Sequence, residues 1–207
     1  WLAKEVGYKY IDSGAMYRAV TLYSLRNNLI KDSIVDKENL QQRMGDIKIE
    51  FRVNETTGKS DTFLNGECVE SEIRGMEVSS NVSPIAAIPF VRHAMVDLQR
   101  SYGKGGGIVM DGRDIGTTVF PNAELKLYVV ASAEVRAQRR YDELTAKGDN
   151  VSFDDILKNV QERDYIDMNR AESPLRTADD AIELDNSQLT VEEQNLWLMK
   201  IFNEKTK

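Results

Sequence analysis

The sequence predicts an α/β protein, in which helices cover a parallel sheet and a small antiparallel β segment is inserted. Three patterns support this class. At 8–28 a short apolar run passes through a turn directly into a helical pattern, which is the unit of a parallel sheet. Residues 47–53 alternate apolar and charged side chains, as in a strand with one wet face. Apolar runs at 108–110 and 125–131 flank a segment rich in Gly, Arg and Asp, which predicts two buried strands joined by a polar loop.

The first half of the chain divides into a strand–helix unit and a β meander. Residues 1–6 have the pattern of a helix end with Gly7 as its C-cap, so we expect chain before Trp1. "YKYI" predicts a strand, "DSG" a capped turn, and 15–28 a helix. Asn65 and Gly66 are typical of a type I′ hairpin, and 46–75 is therefore predicted as a β-rich insert.

The second half alternates helices and strands. Residues 81–102 are predicted to be mostly helical, with Pro89 at a helix start. "IVMD" forms a strand that ends at Asp111, "GRDIGTTVFP" a loop, and "LKLYVVA" the next strand. Charged helices follow at 133–147 and from Ser152 to about 170, then a strand "AIELD" and a last amphipathic helix beginning near Thr190.

Composition excludes several classes of function. The net charge of -7 argues against a nucleic-acid-coating protein, which needs a basic face. A single cysteine, Cys68, excludes an internal disulfide and a cysteine-based zinc site, and indicates a cytoplasmic setting. The single histidine, His93, excludes multi-histidine metal sites and is expected on a helix surface. The sequence contains no run of about 18 apolar residues, so no membrane span is predicted.

The helix beginning at Phe153 carries a stripe that changes character along its length. It is apolar through Val160, and the same face then presents Arg163, Asp164, Asp167 and Arg170. Two interpretations stay open, a solvated face with ordinary ion pairs and the wall of a polar cleft that binds an anion.

Asp111 is a candidate site residue because it ends an apolar strand. Carboxylates there point into the ligand crevice of open α/β sheets and often orient Mg²⁺. The alternative is a turn aspartate, but Arg113 and Asp114 follow within three residues.

Arginines recur at loops, helix starts and the charged stripe of this acidic chain. Arginine binds phosphate through a planar fork with two parallel hydrogen bonds, which predicts a phosphorylated small substrate. Phosphoryl transfer needs mainly alignment and charge neutralisation, which arginines and Mg²⁺ supply. The set comprises Arg18, Arg92, Arg113, Arg139, Arg140, Arg163 and Arg170.

Four segments together resemble the bacterial cytidylate kinases, which transfer the terminal phosphoryl group of ATP to CMP or dCMP. They are "DSGAMYR", "EIRG", "DGRDIGTTVFP" and "ERDYIDMNRAESPL", and the similarity covers essentially the whole chain. The resemblance implies a P-loop kinase-like, three-layer α/β/α fold with a parallel sheet. It implies a core of 1–45 and 76–207, a CMP-binding insert at 46–75 and a helical lid at about 139–170. It also implies ATP and Mg²⁺, a monomer, and no nucleic-acid or membrane partner.

The same resemblance implies residue roles. Ser83, Arg92 and Asp114 are implied to bind the cytosine base. The CMP phosphate is implied to be bound by Arg18, Arg113 and Arg170, with Ser13 close by at a helix N-terminus. Asp167 and Arg163 meet the sugar. Arg139 and Arg140 are implied lid residues that reach the transferring phosphates. Asp111 is a further catalytic candidate near Mg²⁺ because of its position at a strand end, independently of the resemblance.

The family's phosphate loop, GxxGxGK[ST], is not found in these residues, since "GKGGG" at 103–107 precedes a strand. We therefore expect roughly 20 further N-terminal residues, the length of a strand, the loop and part of a helix. Two alternatives stay open, a nucleotide-binding module without catalysis and a kinase whose acceptor is UMP or AMP.

Overall fold

The computed structural model describes residues 1–206. The helices are α1 (Leu2–Glu5), α2 (Ser13–Arg26), α3 (Lys37–Arg43), α4 (Met76–Ala86), α5 (Pro89–Tyr102), α6 (Ala133–Ala146), α7 (Phe153–Asn169) and α8 (Val191–Lys205). The strands are β1 (Lys9–Asp12), β2 (Ile30–Lys31), β3 (Ile34–Val35), β4 (Ile49–Val53), β5 (Ser60–Leu64), β6 (Glu67–Cys68), β7 (Ile108–Asp111), β8 (Leu127–Val130) and β9 (Ile182–Asp185). No helix in this part of the chain combines the length and the apolar character that crossing a membrane would need.

Two parallel strand pairs confirm the predicted α/β class. β1 pairs with β7, and their register sets Asp12 beside Asp111 at the carboxyl ends of both strands. β8 pairs with β9, also in parallel. Within residues 1–206 the two pairs are not hydrogen-bonded to each other. The pairing of β1 and β7 matters most for function, because it aligns two polar loops at one edge.

The predicted meander is an antiparallel sheet in the order β4, β5, β6. Asn65 and Gly66 both have positive φ, 50° and 86°, as the predicted type I′ turn requires. The sheet buries one face on the rest of the protein, since Ile49 and Leu64 belong to the same apolar core as α2, α4 and α5. The insert is therefore packed firmly against the strand–helix unit.

The main core surrounds α2, whose Ala15, Met16, Ala19 and Val20 are fully buried. Small residues on this helix let α4 approach closely. A second, smaller apolar cluster lies between α6 and α7 and contains Ala137, Leu144 and Ile156. The α6–α7 pair therefore has a core of its own.

Several elements differ from the sequence-based expectation. α3 and the β2–β3 hairpin were not predicted, because each is too short to establish a period. The helical region 81–102, by contrast, agrees with the prediction, since α5 begins at Pro89 and Ile88 before it is extended (ψ 123°), as residues before proline tend to be. The predicted loop after Asp111 contains a helical turn, Ile115–Val119.

The strands that the sequence marked as buried are only partly so. β7 is half-buried apart from Asp111, which is exposed, and Val129 of β8 is 53% exposed. An apolar run shows that the side chains favour burial, but it does not show that another element packs against them. His93 lies on the surface of α5, with 69% of its side chain exposed, as predicted.

Candidate active site

A polar cleft lies where β1 and β7 end. Its walls come from the start of α2, the middle of α4, the start of α5, the loop after β7 and the end of α7. The lining residues are Ser13, Gly14, Tyr17, Arg18, Val82, Ser83, Ala86, Arg92, Gly112, Arg113, Asp114, Arg163, Asp167 and Arg170.

One end of the cleft contains a buried ion pair. Arg92 (1% exposed) bonds through Nη2 to Oδ2 of Asp114 (4% exposed), and its Nη1 donates to the carbonyl of Ala86 at 3.0 Å. The guanidinium also lies over the ring of Tyr17, 5.3 Å from the centroid. Ser83 is buried beside them on α4. This end therefore holds a fixed donor and a fixed acceptor, which suits a polar ring edge.

The other end is built on the first turn of α2. Asp12 caps this helix by accepting from the amide of Ala15 at 3.0 Å, and Ser13 donates through Oγ to the carbonyl of Asp111 at 2.7 Å. A helix N-terminus favours an anion. One turn on, Arg18 donates through Nη1 to the carbonyl of Ile73 and to Ser79 Oγ, at 2.9 and 3.0 Å.

The close approach of two segments depends on Gly112. A Cβ on this residue would lie 2.2 Å from Oγ of Ser13 and 2.9 Å from the side chain of Ile115. Only glycine allows the loop after β7 to pass so near the start of α2. This contact sets the distance between Arg113 and the first turn of α2.

The wall from α7 is organised by Asp167. This carboxylate, 3% exposed, pairs with the Nε of Arg113 through Oδ2 and with Nη1 of Arg170 through Oδ1 at 3.0 Å. Arg170 also donates to the carbonyl of Ser173. The charged stripe predicted on α7 is thus a cleft wall, except for Asp164, which pairs with Arg136 of α6 at 2.9 and 2.5 Å.

The cleft has an excess of positive charge. Five arginines and two aspartates line it. Burial, followed by repulsion from Arg163, lowers the pKa of Arg18 to about 9. Burial and then the guanidinium of Arg113 lower the pKa of Arg163 to about 10, and the Nε of Arg163 is buried without a partner. These shifts mark a site that a bound anion would stabilise.

Asp111 lies at the edge of this cleft rather than in its lining. Its Oδ2 accepts from the hydroxyl of Tyr10 at 2.7 Å. Desolvation, then the neighbouring charge of Asp12, raises the pKa of Asp111 to about 6, although part of the residue remains exposed. Two carboxylates at adjacent strand ends are hard oxygen donors of the kind that Mg²⁺ prefers.

The two predicted lid arginines lie outside the lining. Arg139 donates to the side chain and carbonyl of Asn186, at 3.0 and 2.6 Å. Arg140 pairs with Glu143 at 2.6 Å and also bonds to the carbonyl of Arg74. Their roles towards the transferring phosphates stay predictions. The role of the insert 46–75 in binding CMP also stays a prediction, since none of its residues lines the cleft.

Sequence reasoning missed Tyr17, Gly112 and Arg74. Tyr17 follows Ser13 by one helical turn, so the spacing from Ser13 could have indicated it. Gly112 was visible only as one of several glycines, and Arg74 sat within a motif to which no role was given.

The fold and the cleft define an α/β protein with an arginine-rich cleft at its strand ends, and the charge of this cleft suits a phosphorylated small molecule. A family model described as cytidylate kinase matches residues 1–203. A cytidylate kinase of Bacteroides fragilis is 61% identical over 206 residues, which cover 100% of this chain and 90% of the relative. Cytidylate kinases of Porphyromonas gingivalis and Flavobacterium johnsoniae are 59% and 53% identical, over 99% and 100% of this chain and 89% and 90% of each relative. The chain belongs to the cytidylate kinase family.

Proposed function

We propose that this protein transfers the terminal phosphoryl group of ATP to CMP and dCMP, directly and in line, without a covalent intermediate. The observation that carries the proposal is a single cleft that contains both a fixed donor–acceptor pair and an excess of arginines. A nucleoside monophosphate has these two recognition features at opposite ends.

The base end supports cytosine. The cytosine edge presents an amino donor and a ring-nitrogen acceptor, so it needs one acceptor and one donor in return. Asp114 supplies the acceptor, Arg92 the donor, and Ser83 a hydroxyl beside them. Because these groups are buried, a different base would bind more weakly, since a mismatched ring leaves buried polar groups unpaired.

The phosphate end supports a dianion. Arg18, Arg113 and Arg170 converge from three elements, while Ser13 and the helix N-terminus favour the same negative charge. We assign Asp167 and Arg163, which line the same cleft, to the sugar. Held in this way, the acceptor oxygen is aligned with the donor by positioning and charge neutralisation alone.

Mg²⁺ fits the residues at the strand ends. No cluster of three or more potential protein ligands occurs within residues 1–206, so protein atoms alone do not make a closed cage. Mg²⁺ characteristically uses one or two carboxylates together with substrate phosphates and water, and Asp111, with Asp12 beside it, would hold it in that way. When bound, the ion would neutralise charge on the transferring phosphates.

The test is a coupled assay of ADP release with ATP as donor and CMP, dCMP, UMP or AMP as acceptor. We expect turnover with CMP and dCMP, and values of kcat/KM for UMP and AMP at least about 100-fold lower. Binding of CMP without turnover would support a nucleotide-binding module instead. Equal activity on UMP would contradict the assignment of Asp114 to the cytosine amino group.

A matched pair of variants separates the two ends of the cleft. Asp114→Asn should lower the ratio of CMP to UMP activity, because it changes the group that meets the base. Asp167→Asn removes a carboxylate of similar burial, paired with arginines in the same way, and should weaken both acceptors equally. We further propose a cytoplasmic setting, in keeping with the single free cysteine, and a monomer, as the resemblance to the family implies.

A further inference from the structure

The turn Glu72–Arg74, within "EIRG", has a feature that the proposed chemistry does not use. The guanidinium of Arg74 lies between two carboxylates from different parts of the chain. Its Nη2 contacts Asp12 Oδ2 at 2.7 Å, and its Nε donates to Glu70 Oε1 at 2.9 Å. Arg74 therefore bridges the end of β1 and the antiparallel insert.

The link on the insert side is itself anchored in the sheet. The second oxygen of Glu70 accepts from the amide and the hydroxyl of Thr62, at 3.1 and 2.7 Å. Thr62 is 1% exposed and lies in β5. A continuous set of charge-assisted hydrogen bonds thus runs from the insert through Arg74 to Asp12.

The backbone of the same turn holds one arginine of the cleft and one of the two predicted lid arginines. The carbonyl of Ile73 accepts from Arg18 of α2 at 2.9 Å, and the carbonyl of Arg74 accepts from Arg140 of α6. Successive carbonyls therefore orient one residue placed at the acceptor phosphate and one predicted to reach the transferring phosphates. A shift of this turn would move both.

Anchoring of the insert is not by itself a sufficient reason for the contacts of Arg74, because Arg26 also anchors the insert. Arg26 of α2 bonds to Glu67 at 2.7 and 3.0 Å and to Glu72 at 2.5 and 3.3 Å. The side chains of Arg26 and Arg74 are 35% and 31% exposed, so the two bridges are comparable. They differ in that Arg74 alone contacts Asp12, which neighbours Asp111 in the strand register.

We propose that Arg74 is a positioning residue for phosphoryl transfer. It fixes the turn that orients Arg18 and Arg140, and it holds Asp12 beside Asp111 where the strands end. This assignment rests on the proposed function and adds to it a residue that need not touch either nucleotide.

The test compares Arg74→Ala with Arg26→Ala by steady-state kinetics and thermal unfolding. Both variants should lower Tm, because each removes a bridge to the insert. Arg74→Ala should lower kcat by about tenfold or more, and clearly more than Arg26→Ala, which removes only the contact of the turn through Glu72. KM for CMP should rise less than kcat falls, because the displaced turn also orients Arg18 at the acceptor phosphate. Arg74→Lys should recover part of kcat, since an ammonium group can meet one carboxylate but not bridge both.

A double-mutant cycle with Asp12→Asn tests the path of the effect. Asparagine keeps the helix cap of α2 while removing the charge that Arg74 contacts. If Arg74 acts partly through Asp12, the double variant should lose clearly less kcat than the product of the single losses.

The outcomes separate this inference from the function on which it rests. Equal kcat losses in Arg74→Ala and Arg26→Ala, or wild-type kcat in folded Arg74→Ala, would overturn the positioning role alone. A wild-type protein without CMP-dependent ADP release would overturn the proposed kinase activity, and this assignment with it.

Discussion

Arg92 is a fully buried arginine, and its charge is compensated mainly by one carboxylate, that of Asp114. Burying such a pair costs desolvation energy that hydrophobic side chains would not, so the pair is a poor device for stability. It is a good device for recognition, because its hydrogen-bonding groups are fixed before the ligand arrives. The sequence indicated both residues by resemblance, but not that they would meet.

Arg163 shows the opposite imbalance, a buried cation with too little compensation. Its pKa is lowered from 12.5 to about 10, first by burial and then by Arg113, so the folded protein disfavours its charged form. Below pH 10 the group is charged in both folded and unfolded states, and the full cost is present at pH 7. The cost falls as pH rises through the folded pKa.

We therefore predict that Arg163→Met raises Tm of the ligand-free protein at pH 7, by about 2–4 °C. The same variant should raise KM for CMP at least about tenfold, since a cation at the cleft is lost. Thermal unfolding and steady-state kinetics measure the two effects.

Arg136→Met is the matched control. Arg136 is paired with Asp164 at 2.9 Å, so its removal leaves a carboxylate without its partner and should lower Tm. A lower Tm for Arg163→Met as well would show that the cation is not destabilising in the folded protein.

At the scale of elements, the sequence predicted best those features that depend on the backbone preferences of a few neighbouring residues. Pro89 began a helix and Asn65–Gly66 formed a type I′ turn, because their backbone preferences act within a few residues. The β2–β3 hairpin and α3 were not predicted, since each is short and is held by apolar residues such as Leu40 that join the main core rather than by a repeated pattern.

The loop after β7 depends on one glycine, which gives a prediction at this scale. Gly112→Ala places a Cβ 2.2 Å from Ser13 Oγ, and that hydroxyl is held by its bond to the carbonyl of Asp111. The loop must move away from α2, carrying Arg113 and Asp114 with it. We expect a loss of about 1–3 kcal/mol in the free energy of unfolding and a lower kcat/KM for CMP.

Gly45→Ala is the control for chemical denaturation and kinetics. A Cβ at Gly45 would have no neighbour within 4 Å, so this substitution should leave both stability and activity near wild type. Equal behaviour of the two variants would contradict the steric role of Gly112.

At the scale of the whole molecule, the sequence identified most residues that line the cleft, but not the positions of the two predicted lid arginines. Arg18, Arg92 and Arg170 are far apart in the chain, and the topology brings all three into the lining of one cleft. Arg139 and Arg140 were expected at the transferring phosphates, yet here they bond to Asn186 and Arg74. A motif specifies which residue belongs to a site, whereas its position also depends on the conformation of a whole element.

We predict that the α6–α7 pair is the element that moves when nucleotides bind. Its small apolar cluster is separate from the main core, and the edge contact of Tyr141 with Phe153, with centroids 6.2 Å apart, joins the two helices to each other. The ion pair of Arg136 with Asp164 also lies within the pair. Met76 of α4 packs against this cluster, but the cluster is otherwise formed by the two helices and the segment between them, so we expect little apolar resistance to a rigid rotation of α6 and α7.

We predict that binding of CMP together with a nonhydrolysable ATP analogue slows amide hydrogen exchange mainly in residues 133–169. At ligand concentrations about 100-fold above Kd, binding adds about 2.7 kcal/mol against local opening, which slows exchange about 100-fold where opening releases the ligands. Mass spectrometry of proteolytic fragments measures this, with α5 as the internal reference. Exchange that slows equally in α5 and in α6–α7 would contradict a mobile pair, because both regions would then open only with global unfolding.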